Sequence, residues 1–334
     1  MARKKTLTGE AITGMLDKFG NAPSRTIALA AYKKYPDLFK SVEHARSVVR
    51  YYRGAMGKKA AKRLSSDKYL RAHEKPYNPL ALPEADSNDY DTFILSEACK
   101  RILFLYDVHV PYHDIEALTI ALQYGLDNKA DTIFLGGDFM DFFGCSRYQK
   151  DYRKVNVAWE FDTGREMLKR IRELFPDARI YYLMGNHEER WENYLQTKAP
   201  ELLDMQEFRM DVILNFGELN IERIGEKRVA QRAGLSIIHG HEFGGGVYSP
   251  VNPARGLYTK AKASSICGHH HRSSEHSEKD IDGKVTTTWS VGTLGELNPA
   301  YMPLNKWNQG FAFGEFEGDD YKIDNLRIIN GKLV

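Results

Sequence analysis

Thiols are scarce in this chain. Its 334 residues hold three cysteines, Cys99, Cys145 and Cys267, far apart and in no CxxC spacing. This excludes a disulfide framework and a thiolate zinc site, and fits a reducing compartment. Long apolar runs are also missing: none approaches the ~20 residues that a membrane span needs. The basic start, Arg3-Lys4-Lys5, is followed by no apolar h-region, so no signal peptide is expected. The expectation is a soluble, cytoplasmic protein with no membrane contact. Repeats and low-complexity tracts are absent too. The hydrophobic content of 42 % is enough for a substantial core, in one large domain with a smaller companion.

Net charge is small, at +2, but unevenly distributed. Residues 1–75 carry 18 Lys+Arg against 6 Asp+Glu, and the remainder 29 against 39. Opposite signs on two segments suggest two modules, the basic one facing a polyanion. Residues 1–60 read as a helical module. Ile12, Met15, Leu16 and Phe19 fall at helical spacing, Ser24 can cap a second helix, and Ser41 a third with Val42, Ala45, Val48 and Val49 on one face. Arg46, Arg50 and Arg53, followed by Lys58 and Lys59, make this unit a candidate helix-turn-helix-like nucleic-acid binder, DNA before RNA. A protein-docking or oligomerisation module has the same pattern. Residues 61–98, with Pro76, Pro79 and Pro83, read as a linker or arm.

From residue 99 to 334 the texture is that of a single α/β domain. Short apolar strands (102–106, 132–135, 179–184) alternate with helical segments (115–124, 155–175, 188–195), and after about Glu218 the chain becomes strand-rich. Five polar clusters stand at the ends of apolar runs: Asp107-Val108-His109, Gly136-Gly137-Asp138-Phe139-Met140-Asp141, Gly185-Asn186-His187-Glu188, His239-Gly240-His241 and Gly268-His269-His270-His271. Seven of the 11 histidines lie in them, which makes coincidence a poor explanation. Asp107 and His109, two apart at a strand end, leave the backbone on the same face, as half of a metal site. Open sheets place ligands at such strand ends.

The series D-x-H, G-D-x-x-D, G-N-H-E, H-x-H and G-H-x-H resembles the calcineurin-like (binuclear) metallophosphoesterases over roughly residues 100–300, and its ending is closest to the phosphodiesterase and nuclease branch. The resemblance implies an αββα sandwich of two mixed sheets. It also implies phosphoester hydrolysis with two divalent ions and a metal-bound hydroxide as nucleophile. Two ions neutralise the phosphoryl oxygens and acidify water. Nitrogen and oxygen donors suit Mn²⁺ first, with Fe, Zn²⁺ or Mg²⁺ as alternatives. Carried over by position, Asp107, His109 and His271 would hold one ion, Asn186, His239 and His269 the other, and Asp138 would bridge. His187 would be the non-ligand histidine that serves the leaving oxygen or the transition state, with Asp141 orienting it. Glu188 is left structural, in a helix first turn where an acid is favoured.

His241 and His270 are candidates for substrate contact or for support of the ligands. Tyr248, with the glycines after Phe243, and the insertion Glu201–Arg223 are candidates to line the entrance. Protein phosphatases of this superfamily carry an arginine directly after G-D-x-x-D. This chain has Phe142 there, so a guanidinium grip on a phosphomonoester is not expected from that position. Together with the basic module, also seen in proteins of phages and mobile elements that the chain resembles, this favours a nucleic-acid phosphodiesterase or nuclease. A phosphatase or phosphodiesterase of nucleotides and other small phosphoesters is the alternative, and a catalytically dead binding scaffold is disfavoured because no ligand is missing.

Overall fold

The three strands nearest the chain's middle are apolar at almost every position, without the alternation of a half-wet strand. Both of their faces are covered. In the computed structural model, which describes residues 6–19, 22–54, 90–147, 156–225, 227–243, 251–299 and 302–334, β2 (Arg101–Leu105), β3 (Thr132–Leu135) and β4 (Arg179–Leu183) run parallel in the centre of a sheet. Leu103, Leu105, Ile133, Leu135, Ile180 and Tyr182 pack into one apolar layer, while Ile102, Phe104, Phe134, Tyr181 and Leu183 pack into another. That period of two buries successive side chains on opposite sides. Each large side chain so buried contributes about 1.5–3 kcal/mol.

The first layer is closed by helices. They are α4 (Ile115–Asp127), α5 (Val157–Leu174) and α6 (Glu188–Lys198), through Ala117, Leu118, Ala121, Phe161, Leu168, Ile171, Trp191 and Leu195. As its sequence suggests, Asp114 caps α4, accepting from the Ala117 amide at 2.9 Å. The second layer lies between two sheets. One sheet has seven strands in the order β13-β12-β11-β2-β3-β4-β5, with β5 (Ile221–Ile224), β11 (Gln309–Glu317), β12 (Asp320–Ile329) and β13 (Lys332–Leu333) completing it. The other has six, in the order β1-β6-β7-β8-β10-β9. These are β1 (Phe93–Ile94), β6 (Ala230–Arg232), β7 (Leu235–Ile237), β8 (Ser265–Cys267), β9 (Ser274–Lys279) and β10 (Val285–Ser290). Leu257 of α8 (Pro253–Ala261) packs with Ile238 and Cys267 against this sheet. The result is an αββα sandwich of two mixed sheets. Among the described residues no helix is long and apolar enough to cross a membrane.

Several local expectations change. The run 229–239, in the strand-rich part of the sequence, is the hairpin β6–β7, turned at Ala233-Gly234 with both residues in the left-handed region. Residues Glu201–Arg223, expected to line the entrance, also contribute to the core. Met210, in the short α7 (Met210–Ile213), Leu214 and Phe216 are buried in the helix-side layer, and the stretch continues into edge strand β5. Their apolar spacing follows neither helical nor strand period, so the sequence hides their burial. Residues Phe93–Ile94, at the end of the expected arm, form β1 and pair with β6.

The chain divides into two compact units, Met1–Asn88 and Asp89–Val334. In the first, α1 (Leu7–Lys18), α2 (Ser24–Lys34) and α3 (Val42–Tyr52) close on Ile12, Met15, Leu16, Ile27, Ala28, Ala31, Ala45 and Val49. Ser41 caps α3 by accepting from the His44 amide at 3.1 Å. Ser24 does not cap α2, because its hydroxyl accepts from Arg53 Nη1 at 2.8 Å. Arg53 is only 1 % exposed and its Nη2 also donates to the Ala22 carbonyl at 2.6 Å. It is a buried strut, not a nucleic-acid contact as its spacing suggested. Arg46 is half-exposed beside Glu43, and Arg50 is exposed. Lys58 and Lys59 lie outside the described residues.

Candidate metal centre

Every cluster picked out in the sequence begins where a strand stops, and the backbone turns sharply there. Asp107, His109, Asp138, His269 and His271 all have positive φ, between 50° and 67°. Non-glycine residues rarely adopt this conformation, which costs on the order of 1–3 kcal/mol each. The first two loops are zipped together by main-chain bonds: Asp107 N to Gly137 O (3.2 Å), His109 N to Asp138 O (3.0 Å), Val110 N to Phe139 O (2.7 Å) and Asp141 N to Val110 O (3.0 Å). Gly137, at φ 95°, has no room for a side chain, since a Cβ would lie 2.5 Å from His239 Nδ1.

The loops bring three overlapping groups of donors together: Asp107, His109 and His271; His109, Asp138 and His187; and Asp138, His239 and His269. In each, the ligating atoms lie within 4.8 Å of one another. Asn186 Oδ1 stands 3.2 Å from His239 Nε2 and so joins the last group.

Tautomers show what belongs in the middle. His239 Nδ1 must donate to the Gly136 carbonyl at 3.0 Å, so in the neutral ring Nε2 turns its lone pair on Asp138 Oδ2 and Asn186 Oδ1, both at 3.2 Å. His109 Nδ1 lies 3.1 Å from the Asp141 carboxylate, which likewise leaves its Nε2 lone pair facing His271 Nε2 at 3.1 Å. Asp107 Oδ1 is buried with no close hydrogen bond among the described residues, His271 Nε2 standing 3.5 Å away, while Oδ2 accepts from the His269 amide at 2.8 Å. Buried acceptors aimed at one another repel unless a cation lies between them. The donor set fits divalent metal ions.

The electrostatics without an ion agree. Burial alone would raise the Asp107, Asp138 and Asp141 carboxyls. Facing histidines outweigh it and hold all three below the usual range: His271 and His239 for Asp107, His187 and His239 for Asp138, His109 and His187 for Asp141. Burial likewise opposes a charge on His239, but Asp138 and Asp107 lift it to about 10, so a proton occupies the cation's place. His269 is pushed down to about 3 by burial and by the charge on His239.

His187 sits at the edge of this cluster. Its Nδ1 lies 3.1 Å from Asp141 Oδ1 and 3.0 Å from the Asp141 carbonyl, and its Nε2 is 3.6 Å from Asp138 Oδ2. Asp141 therefore touches both His187 and His109. His241 packs beside the cluster, its ring 5.2 Å from that of His239 and 6.3 Å from that of His269, and is held at 3.2 Å by Glu189, which Lys227 approaches at 3.5 Å. His270 is half-buried with an unpartnered Nε2 and stacks edge-on to His269 at 5.2 Å. Tyr248 lies outside the described residues.

Two contributors were missed in the sequence. Glu188, read there only as a favourable first-turn acid, is fully buried and braces the centre. Its Oε2 accepts from the amides of Asp138 (2.9 Å) and Gly185 (2.8 Å), and its Oε1 from the Met140 amide (2.9 Å) and the Tyr182 hydroxyl (2.8 Å). Arg190, three residues after His187 and so on the same helix face, directs Nη2 at His187 Nε2 (2.6 Å) and Nη1 at the Asp141 carbonyl (2.9 Å). That i, i+3 spacing was a legible signal.

The profile of the calcineurin-like phosphoesterase family matches residues 100–273. The chain belongs to that family. A calcineurin-like phosphoesterase is a hydrolase of phosphoester bonds, and the donor cluster is this one's candidate metal site. Among relatives, the Gene 54 protein of Mycobacterium phage L5 is 27 % identical over 249 residues, which cover 70 % of this chain and 96 % of that protein. Similar solved structures include Vacuolar Protein Sorting 29 from Cryptosporidium parvum (12 % identity, 70 % of this chain, 94 % of that chain, TM-score 0.39). Another is YfcE, a phosphoesterase from E. coli (13 % identity, 64 % and 87 %, TM-score 0.32).

Beneath this phosphoesterase's centre lies a buried acid. Glu160 on α5 is 1 % exposed, and among the described residues no side chain pairs with its carboxylate. Burial, then the charge of Asp141, raises its pKa to about 7, and the nearby backbone of Gly144 and Phe142 offsets only part of this. The folded state thus holds its proton more tightly than the unfolded chain does. The stability this confers is complete below pH 4.5 and is lost as pH rises through about 7. Glu160→Gln is expected to gain up to about 3 kcal/mol over the parent at pH 8 and nothing at pH 4. Urea melts at the two pH values check this, and an equal effect at both would refute it.

Proposed function

We propose that this phosphoesterase is a nucleic-acid phosphodiesterase working with two divalent ions, Mn²⁺ foremost. Asp107, His109 and His271 would hold one ion and Asn186, His239 and His269 the other, with the Asp138 carboxylate available to both. The mutually facing lone pairs of His239, Asp138 and Asn186 carry this assignment. The ions supply charge neutralisation at the phosphoryl oxygens and an acidified water. His187 gives a proton to the leaving oxygen, and Asp141, bonded to its far nitrogen, fixes which nitrogen faces the substrate.

What supports a polymeric substrate is the basic three-helix unit, with Arg50 exposed and Arg46 half-exposed on α3. Electrostatic contacts of that kind give affinity without dictating sequence. In the full chain, Arg46→Glu with Arg50→Glu is expected to weaken oligonucleotide binding at low salt at least about 10-fold and to flatten the slope of log K against log salt by about 2. Unchanged binding would remove the module from substrate capture.

A second reading, a phosphatase of nucleotides or other small phosphoesters, is favoured by one observation: a guanidinium, that of Arg190, stands beside His187 after all. Hydrolysis of bis-p-nitrophenyl phosphate, p-nitrophenyl phosphate and labelled single- and double-stranded oligonucleotides with added Mn²⁺ separates the two. Cleavage of diester and oligonucleotide supports the first, and turnover of the monoester alone the second.

A further inference from the structure

We propose that Arg190, on α6, is the phosphoryl clamp of this centre, a role for which the residue directly after Gly-Asp-x-x-Asp is not available here. That residue here, Phe142, cannot serve. It is fully buried, with its ring 5.0 Å from Phe161 and 6.4 Å from Trp191, so its side chain belongs to the core and faces away from the donors. Arg190 arrives from a different direction, one helical turn beyond His187.

Three features make it a clamp and not a surface cation. Its fork is pre-set, with Nη1 2.9 Å from the Asp141 carbonyl and 3.8 Å from Asp141 Oδ2, and Nη2 2.6 Å from His187 Nε2. Its side chain is 19 % exposed, so the head is largely desolvated yet still reachable. And the nitrogen it touches, His187 Nε2, is itself 3.6 Å from Asp138 Oδ2 at the heart of the donor cluster. A phosphoryl group seated on the ions within reach of His187 is within reach of Nη2 as well. With Nδ1–H of His187 engaged by Asp141, Nη2 donates to the neutral Nε2. An anionic phosphoryl oxygen is a stronger acceptor for that N–H, and in taking it frees the Nε2 lone pair to take up a proton from solvent and pass it to the leaving oxygen. This assignment rests on the phosphoesterase reading of the centre and holds for polymer and small-molecule substrates alike.

The test uses the Mn²⁺-loaded full chain and inorganic phosphate as probe. By calorimetry, Arg190→Ala is expected to weaken phosphate binding about 10-fold or more, with bound metal unchanged, and Arg190→Lys to recover part of the loss. The same weakening is expected when both variants are made on a His187→Ala background, since the clamp acts on the phosphate itself. Phosphate affinity unchanged in Arg190→Ala, or weakened only while His187 is present, would make Arg190 a positioning residue for His187 and overturn the clamp. Loss of bound metal in Arg190→Ala would overturn it too. Failure of the parent chain to hydrolyse any ester would sink the phosphoesterase reading, while the phosphate titration would still decide the role of Arg190.

Discussion

Asp138→Asn is expected to lower kcat at least about 10³-fold, equivalent to about 4 kcal/mol of transition-state stabilisation, and to leave the fold intact. The isosteric amide keeps one oxygen for the His187 main-chain N–H, which Asp138 Oδ1 now accepts at 2.8 Å. Its NH₂ can take the position of Oδ2 and donate to His239 Nε2, 3.2 Å away. The variant thereby satisfies internally the very lone pair that a metal would need, and it removes the one negative charge shared by two donor groups. Metal content by elemental analysis should fall while the melting temperature of the metal-free protein holds or rises. Near-parental turnover in the Asp138→Asn variant, its substitution verified by intact mass, would sink the shared-carboxylate assignment.

Glu188→Ala is expected to have the largest effect on stability. One carboxylate there satisfies three amides and a hydroxyl, all buried, drawn from two ligand-bearing loops and from β4. Each donor stranded without an acceptor costs about 1–3 kcal/mol. Relaxation makes the losses less than additive, so a total of at least about 4 kcal/mol follows. Gly185 has no slack to absorb it: a Cβ there would lie 2.3 Å from Asp138 Oδ1 and 2.4 Å from Asp138 N, so the loops already touch. Thermal melts should show a drop of roughly 10 °C. Hydrolysis should fall with it and return in part at high metal concentration, because the ligands survive but their spacing does not. Glu188→Gln, which turns an NH₂ toward those same donors, should lie between. A melt unaffected by Glu188→Ala would show the two loops to be held by their main-chain bonds alone.

The centre was unusually legible in the sequence because each donor closes a short apolar strand, and strands buried on both faces stand out. Asp107, Asp138, Asn186, His239, His269 and His271 could each be placed by their motif, and the structure gathers them, with His109, into overlapping groups of donors. What stayed hidden depends on distance in space more than on type. Glu188 looks like any first-turn acid until the Asp138 loop folds over it. Arg53 has the spacing of a surface arginine on α3, but the chain entering α2 covers it and occupies it with Ser24 and Ala22. Residues 210–224 lack a clean period because their burial is shared between a short helix, an irregular turn and an edge strand. Arg190 is the instructive case. A motif comparison that looks for an arginine at one position records a loss, whereas a helical turn of three residues puts a guanidinium beside His187.

The left-handed backbone at five donor residues sets a direction for sequence drift. At Asp107, His109, Asp138, His269 and His271 a glycine would sit more comfortably than the residue present. Retention of the donors opposes that exchange, together with the amide hydrogen bonds that Asp107 and Asp138 accept. A descendant released from catalysis would relieve backbone strain by substitutions that erase its chemistry, first at His109, His269 and His271, so glycine or asparagine there would mark a silent copy of this fold sooner than any change in its core.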